Sequence, residues 1–268
     1  MNGCEDIIKK FKPITLEEID SIKASVKLLK RHDTKFIFST KKLFSLMESL
    51  LPHYRILEMN NKRFFKYENL YFDTEDCIFY QQHHNRKFNR YKLRYRKYVD
   101  LNSHFWEIKF KTNKRKTIKK RFEQSFNITE LTDNIKDITR NVLPKNFGID
   151  LDLIKPSLWI FFSRFTLANT DLMERITIDV EITYRNIAGH EKDLKGIAVA
   201  ELKQAKFSLS SPFVREAKKN KIYIKPFSKY CTGIALMENP AKINRFKRSI
   251  LNLEKLSGTQ LPRKGNIA

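Results

Sequence analysis

The feature that most constrains this chain is a period-two alternation, recurring in four separate stretches, that puts the same chemistry on one face each time. Tyr91 to Tyr98 sets Lys92, Arg94, Arg96 and Tyr98 against Tyr91, Leu93 and Tyr95. Phe105 to Lys111 sets Glu107, Lys109 and Lys111 against Trp106, Ile108 and Phe110. Arg175 to Ile182 sets Arg175, Thr177, Asp179 and Glu181 against Ile176, Ile178, Val180 and Ile182, and Val199 to Lys203 sets Glu201 and Lys203 against Ala200 and Leu202. Period two is the mark of a strand with one apolar face. Water on the polar face would explain any single strand. Across four strands, however, the polar faces hold Arg and Lys with isolated carboxylates, and little of the Ser, Asn and Gln of an ordinary wet surface. An antiparallel β-barrel resolves this, with apolar faces turned out under covering helices and charged faces turned in. Such a lumen crowds like charges at low dielectric unless a ligand fills it. A polyanion accompanied by a divalent metal supplies the compensation.

Composition points to the same kind of ligand. The chain has 268 residues, which favours one domain, and a formal net charge of +23, which calls for an anionic partner such as nucleic acid, an anionic membrane face or a polyphosphorylated molecule. Hydrophobic residues make up 41%, with 21 Phe and 10 Tyr, enough for a real core. Only 7 Gly are present, with neither GxxxxGK[ST] nor GxGxxG, so P-loop and dinucleotide-fold readings lose their support. Without a helix-turn-helix, zinc-finger or RNP signature, nothing reads base edges, and sequence-specific nucleic acid ranks last. Cys4, Cys77 and Cys231 are too few and too scattered for a disulfide framework or structural zinc. The start MNGCEDIIKKF lacks a signal-peptide core, and no window approaches the roughly 18 to 20 apolar residues of a membrane span. A cytoplasmic setting is expected, with a separate membrane partner left open.

Helix signals sit at the ends. Thr15 and Glu18 have capping-box spacing after Pro13. A second helix is expected after Ser39, from Lys41 to Leu51, stopped by Pro52. Asn239 and Pro240 break the chain before a basic helix from Ala241 to Leu256 and a loose tail. The expected division is a helical segment at 1–24, the main domain at 25–238, and a basic helix and tail at 239–268. His83 and His84 read as a polar pair at a hairpin end, since no third ligand stands at metal spacing. Asp73 and Thr74 read as strand-end turn chemistry.

Several anchors in fixed order then carry a family resemblance. They are Leu28-Leu29-Lys30-Arg31-His32-Asp33-Thr34-Lys35-Phe36, Tyr71-Phe72-Asp73-Thr74, Arg90 to Tyr98, Glu107-Ile108-Lys109, Thr117 to Arg121, Arg164, Arg175 to Asp179, Glu201-Leu202-Lys203 and Phe227-Ser228-Lys229-Tyr230. In this order, from about Pro13 to Met237, the chain resembles the VTC-type polyphosphate polymerase domain, the catalytic domain of the vacuolar transporter chaperone complex. That domain is a triphosphate tunnel metalloenzyme of the CYTH-like superfamily. The resemblance implies an α+β fold, an eight-stranded antiparallel tunnel with a basic lumen and flanking helices. It implies phosphate contacts from Lys35, Arg94, Arg96, Lys109, Arg175, Lys203 and Lys229. One of Lys119, Lys120 and Arg121 joins them, with Lys120 preferred, and Arg31, Lys92, Lys111, Arg164 and Ser228 are further phosphate contacts. Glu201 stands where the family binds Mn²⁺ or Mg²⁺, with Glu107 as a secondary ligand.

The activity so implied is transfer of the γ-phosphate of ATP to inorganic polyphosphate, with release of ADP. Arg forks, Lys point charges and a divalent ion suffice for such chemistry, which needs alignment and charge neutralisation more than a nucleophilic side chain. Two alternatives remain: a tunnel-fold triphosphatase acting on inorganic triphosphate, nucleotide or RNA ends, and a non-catalytic polyphosphate-binding module. Hydrolytic members of the superfamily open their first strand with Glu-x-Glu-x-Lys. Here the same spacing reads Arg31-His32-Asp33-Thr34-Lys35. A guanidinium about 5 Å from a second divalent ion would repel it by several kcal/mol at an effective dielectric near 20, which disfavours water activation.

Overall fold

The computed structural model describes residues 2–27, 32–114, 116–144, 147–238, 240, 242–258 and 260. The anchor at 28–31, including Arg31, and most of the expected tail lie outside them. In chain order the helices are α1 (Asn2–Lys10), α2 (Leu16–Lys27), α3 (Leu43–Leu50), α4 (Ile78–His84), α5 (Asp133–Arg140), α6 (Pro212–Lys219), α7 (Lys229–Met237) and α8 (Asn244–Ser257). The strands are β1 (Pro13–Ile14), β2 (His32–Ser39), β3 (Arg55–Leu57), β4 (Phe65–Thr74), β5 (Arg90–Tyr98), β6 (Ser103–Lys111), β7 (Thr117–Gln124), β8 (Ile154–Asn169), β9 (Glu174–Asn186), β10 (Glu191–Asp193) and β11 (Ile197–Gln204). No helix among the described residues is long and apolar enough to cross a membrane.

The chain forms two compact units, each drawn from three separate stretches, and the long strands β8 and β9 contribute to both. The first unit comprises 1–65, 162–182 and 194–227. Its ladder runs β2-β11-β9-β8, with β11 antiparallel to both β2 and β9. Period two decides what each face does. Phe36 and Phe38 of β2, Ile176 and Ile178 of β9, and Ala198, Ala200 and Leu202 of β11 all point to one side and are buried. That side is covered by Ile7 and Ile8 of α1, Leu43, Leu46, Met47 and Leu50 of α3, and Phe213 and Ala217 of α6. Each fully buried large side chain here is worth roughly 1.5–3 kcal/mol of transfer free energy.

The cap chemistry of this unit follows the sequence. Thr15 N–H donates to Glu18 (2.9 Å) and Glu18 N–H donates back to Thr15 Oγ1 (3.3 Å), a reciprocal capping box at the start of α2. Ser39 caps a short 3₁₀ turn, Thr40–Lys42, that leads into α3. Arg63 fastens α1 by donating to the carbonyls of Ile8, Lys9 and Phe11 at 2.9–3.1 Å, which satisfies acceptors a helix end leaves open.

The second unit comprises 66–161, 183–193 and 228–268. Its ladder runs β8-β4-β5-β6-β7, antiparallel through β4, β5, β6 and β7, with β10 on β9. Leu70, Phe72, Tyr91, Leu93, Tyr95, Trp106, Ile108 and Phe110 form its buried face, under Phe79 of α4 and Ile135 of α5. Trp106 is fully buried, and its Nε1–H donates to Thr139 Oγ1 at 3.0 Å, so the indole's polar atom is satisfied. The antiparallel α+β architecture is the one the alternation demanded.

Two local expectations give way. His83 and His84 end α4 rather than a hairpin, because β4 runs into a helix there. Buried Asp73 accepts the N–H groups of Thr74, Phe79 and Tyr80 at 2.8–3.0 Å, and Thr74 Oγ1 accepts that of Ile78. Side-chain acceptors at those amides nucleate a helix where a tight turn was expected. In β9 the alternation stops at Glu181, which is exposed with φ +54°, a left-handed conformation that breaks a regular ladder. Glu181 therefore does not continue the polar row of Arg175, Thr177 and Asp179. The basic C-terminal helix begins at Asn244, three residues later than expected.

Candidate active site

The polar faces of both units carry a carboxylate ringed by cations, and register explains the neighbours of each. In the first unit Glu201 stands opposite Lys35 of β2 and Thr177 of β9. The adjacent row is Asp33, Lys203 and Arg175. Lys203 Nζ donates to Glu201 Oε1 at 2.8 Å, and Lys35 Nζ approaches the same oxygen at 3.6 Å. Among the described residues Oε2 accepts no hydrogen bond. Asp33 Oδ2 lies 3.7 Å from Lys203 Nζ. Arg164 forms a two-toothed pair with buried Asp179 at 2.5 and 2.8 Å, its guanidinium 5.1 Å over the Phe162 ring. Burial alone would push the Glu201 carboxyl up. The charges of Lys203 and Lys35, the Lys203 hydrogen bond and Arg164 outweigh it and hold the group well below the ordinary carboxylate range.

In the second unit a row crosses four strands: Tyr71, Arg94, Glu107 and Arg121. Every member is joined to the next. Arg94 Nη1 donates to Tyr71 Oη at 2.8 Å and Nε to Glu107 Oε2 at 2.6 Å, with Nη2 on the same oxygen. Arg121 Nε donates to Glu107 Oε1 at 2.9 Å and Nη2 to Tyr98 Oη at 2.7 Å. Lys119 Nζ adds a third cation on Oε1 at 2.8 Å. Glu107 is only 2% exposed, and both of its oxygens are taken. Burial would raise its carboxyl, but Arg94, Arg96, Lys119 and Arg121 drive it well below the ordinary range. Burial pulls the Lys119 ammonium down, Glu107 opposes this, and Arg94 and Arg96 add to it, leaving the group at about 7. The Tyr71 phenol is likewise held down: burial would raise it, and Arg94, Lys92 and Arg96 prevail.

The next rows extend the basic face. Arg96 is buried; its Nε donates to Asn69 Oδ1 at 2.7 Å, and its guanidinium lies 5.3 Å from the Tyr67 ring and 5.9 Å from the Tyr98 ring. On the other side Lys92, Lys109 and Lys119 stand directly opposite one another on β5, β6 and β7. Three ammonium groups in one row repel each other, and an anion lying along the row relieves that repulsion. Lys111 follows beside Arg90 and Thr117. Lys92 Nζ donates to Ser228 Oγ at 2.8 Å, and Ser228 also caps α7 by accepting Cys231 N–H. Lys229 is the first residue of that helix.

The structure thus gathers Lys35, Arg175, Lys203, Glu201 and Arg164 on one polar face. In the other unit it gathers Lys92, Arg94, Arg96, Lys109, Lys111 and Glu107. Lys120 stands apart: it lies opposite Ile108, on the face of Ile118 and Phe122, while Lys119 and Arg121 join Glu107. Period two over Thr117–Gln124 already separates them, so that signal was readable. The contributions of Tyr71, Tyr98 and Asn69 required the cross-strand register.

The donors available to a metal are hard oxygens. Among the described residues no three His, Cys, Asp or Glu side chains are grouped to hold an ion. A small divalent cation often takes one or two carboxylates and completes its shell with water and substrate phosphates. Glu201, with one oxygen open, fits that pattern, whereas Glu107 has no oxygen to spare.

Residues 30–238 match the VTC domain family, most of the chain. The chain belongs to the VTC domain family. No curated protein matches it in sequence. Among solved structures, this VTC domain is similar to HpAC1 from Hippeastrum, assigned as an adenylyl cyclase and described as having a dominant triphosphatase activity. The two share 13% identity with a TM-score of 0.51, over 76% of this chain and 95% of that one. At that identity the likeness is one of fold. A protein of Vibrio parahaemolyticus assigned as an adenylate cyclase is similar at 10% identity and TM-score 0.43, over 73% and 94%.

Proposed function

We propose that this VTC domain is a metal-dependent polyphosphate polymerase. The β–γ bond of ATP breaks, a terminal oxygen of polyphosphate bonds to the γ-phosphorus, and ADP leaves with the electron pair. Membership of the family and a fold shared with a protein described by triphosphatase activity support chemistry on phosphates. The observation that carries the reading is Glu201: an ionised carboxylate with one open oxygen on a face lined by Lys35, Lys203 and Arg175.

Glu201 would hold Mn²⁺ or Mg²⁺ through that oxygen, and the ion when bound neutralises charge on phosphate oxygens. Lys35, Lys203 and Arg175 orient the reacting phosphates, and Arg164, fixed by Asp179, offers its remaining N–H groups. Arg94, Arg96, Lys92, Lys109, Lys111, Lys119 and Lys229 grip the polyanion. Precise alignment in such a preorganised array supplies most of the rate. ATP and polyphosphate are the partners, in a cytoplasmic setting.

The shared fold with HpAC1 gives hydrolysis a specific claim as the second reading. Against it, Arg31 and Asp33 occupy the positions of the hydrolases' paired glutamates, and Asp33 is drawn to Lys203. Purified protein with ATP, Mn²⁺ and a short polyphosphate primer decides between them. ADP and polymer as main products support the polymerase; ADP with free phosphate supports the hydrolase; unconsumed ATP with bound polymer leaves a binding module.

A further inference from the structure

We propose that Glu107 is a positioning residue that holds Arg94, Arg121 and Lys119 as one rigid cationic array, and that it is not a metal ligand. The inference rests on the phosphate-chemistry reading above and assigns this carboxylate a separate task within it. The geometry has three parts. Glu107 occupies the centre of the Tyr71–Arg94–Glu107–Arg121 row, so it is the neighbour of both guanidinium groups by register. Its two oxygens are divided, Oε2 to Arg94 and Oε1 to Arg121 and Lys119, leaving no lone-pair site convenient for a cation. Each guanidinium is also anchored at a second point, Arg94 on Tyr71 and Arg121 on Tyr98. An arginine fixed at two points has lost its rotamer freedom in advance, and its unused N–H groups face an incoming anion without further ordering.

One carboxylate against three cations leaves the cluster with two net positive charges. Removing it would add a third. A polyanion would then be attracted more strongly, while the guanidinium groups would lose the partner that aims them. Attraction and alignment are therefore separable here. Uniform binding lowers KM without raising turnover, whereas alignment is felt in turnover.

The test is Glu107→Gln in the full chain, which keeps the shape and removes the charge. Three readouts are compared with the unaltered protein: turnover of ATP by ADP release, affinity for inorganic tripolyphosphate by calorimetry, and the Mn²⁺ concentration at half-maximal turnover. The expected result is a ten- to hundredfold fall in kcat, tripolyphosphate binding unchanged or tighter, and a Mn²⁺ midpoint moved less than twofold. A Mn²⁺ midpoint raised tenfold or more, with turnover recovered at high Mn²⁺, makes Glu107 a metal ligand and overturns the proposal. Equal losses of binding and turnover with an unchanged melting temperature also overturn it. If Glu107→Gln fails to fold, Glu107→Asp serves: kcat should fall with tripolyphosphate affinity unchanged, and full turnover in that variant contradicts the proposal. Product identity in the unaltered protein is scored separately, so a hydrolytic outcome refutes the polymerase reading while the Glu107 comparison still stands or falls on its own.

Discussion

Glu201 and Glu107 are the same residue type on the same kind of strand face, both ionised by surrounding cations, yet their surroundings fit them for different work. Glu201 meets two lysines at a single oxygen and keeps the other open. Glu107 divides its oxygens among two arginines and a lysine. Lysines are mobile point charges that yield readily to a metal or a phosphate, whereas guanidinium forks lock geometry. The lesson is that a carboxylate in a basic field is defined by which of its oxygens are committed and by which kind of cation.

The largest expected effect tests the open oxygen. Glu201→Gln should lower metal-dependent turnover about a thousandfold, or about 4 kcal/mol, the scale of a lost metal contribution. Tripolyphosphate binding by calorimetry should survive, since the lysines and arginines remain. Loss of both binding and the folded state would instead make Glu201 a structural ion-pair member of β2 and β11.

Next come the arginines. Arg94→Ala and Arg96→Ala should each lower turnover about a hundredfold, near 3 kcal/mol, as for other preorganised donors. Their stabilities should part company. Arg96 is buried between two tyrosines and bonded to Asn69, so its loss should cost about 2 kcal/mol in a denaturant melt. Arg94→Ala leaves Glu107 still paired with Lys119 and Arg121 and should cost less than about 1 kcal/mol. Full turnover in both variants would show that this basic face is not the phosphate grip.

A smaller effect concerns protons. Lys119 sits at about 7 in the folded protein, against an ordinary 10.5, so near pH 8 much of it is neutral. A phosphate chain alongside would favour the ammonium and raise that value. Tripolyphosphate binding at pH 8 should therefore take up a proton, and affinity should fall as pH climbs past 7. By the same linkage the lysine's contribution to stability rises with pH between about 7 and 10.5, where the unfolded chain binds more protons. Calorimetry in two buffers of different ionisation enthalpy checks the sign; proton release would contradict it. The smallest effect is Lys120→Ala, which should leave turnover within about twofold because Lys120 lies on the face away from Glu107. Lys119→Ala should lower turnover roughly tenfold.

Much of this was legible in the residues. Alternation named the strands and sorted Arg94, Arg96, Glu201 and Lys203 onto polar faces, because a strand's parity is local. The Thr15–Glu18 cap was readable for the same reason. What escaped depends on distant partners. Nothing near Glu107 in sequence says that Arg121 will stand opposite it, or that Tyr71 will stand beyond Arg94; only the register of β4 to β7 does. The helix after Asp73 was missed because a strand-end Asp-Thr serves a turn and a helix cap equally well, and α1 because its apolar residues, Ile7, Ile8 and the adjoining Phe11, reveal their use only against α3.

The different tasks of the two carboxylates are most directly tested by Mn²⁺ binding to the protein–tripolyphosphate complex, followed by electron paramagnetic resonance in the unaltered protein, Glu201→Gln and Glu107→Gln. The account predicts that the unaltered protein and Glu107→Gln bind Mn²⁺ with affinities within about threefold, while Glu201→Gln loses at least tenfold, about 1.4 kcal/mol. The reverse pattern, with binding lost in Glu107→Gln and kept in Glu201→Gln, would contradict it.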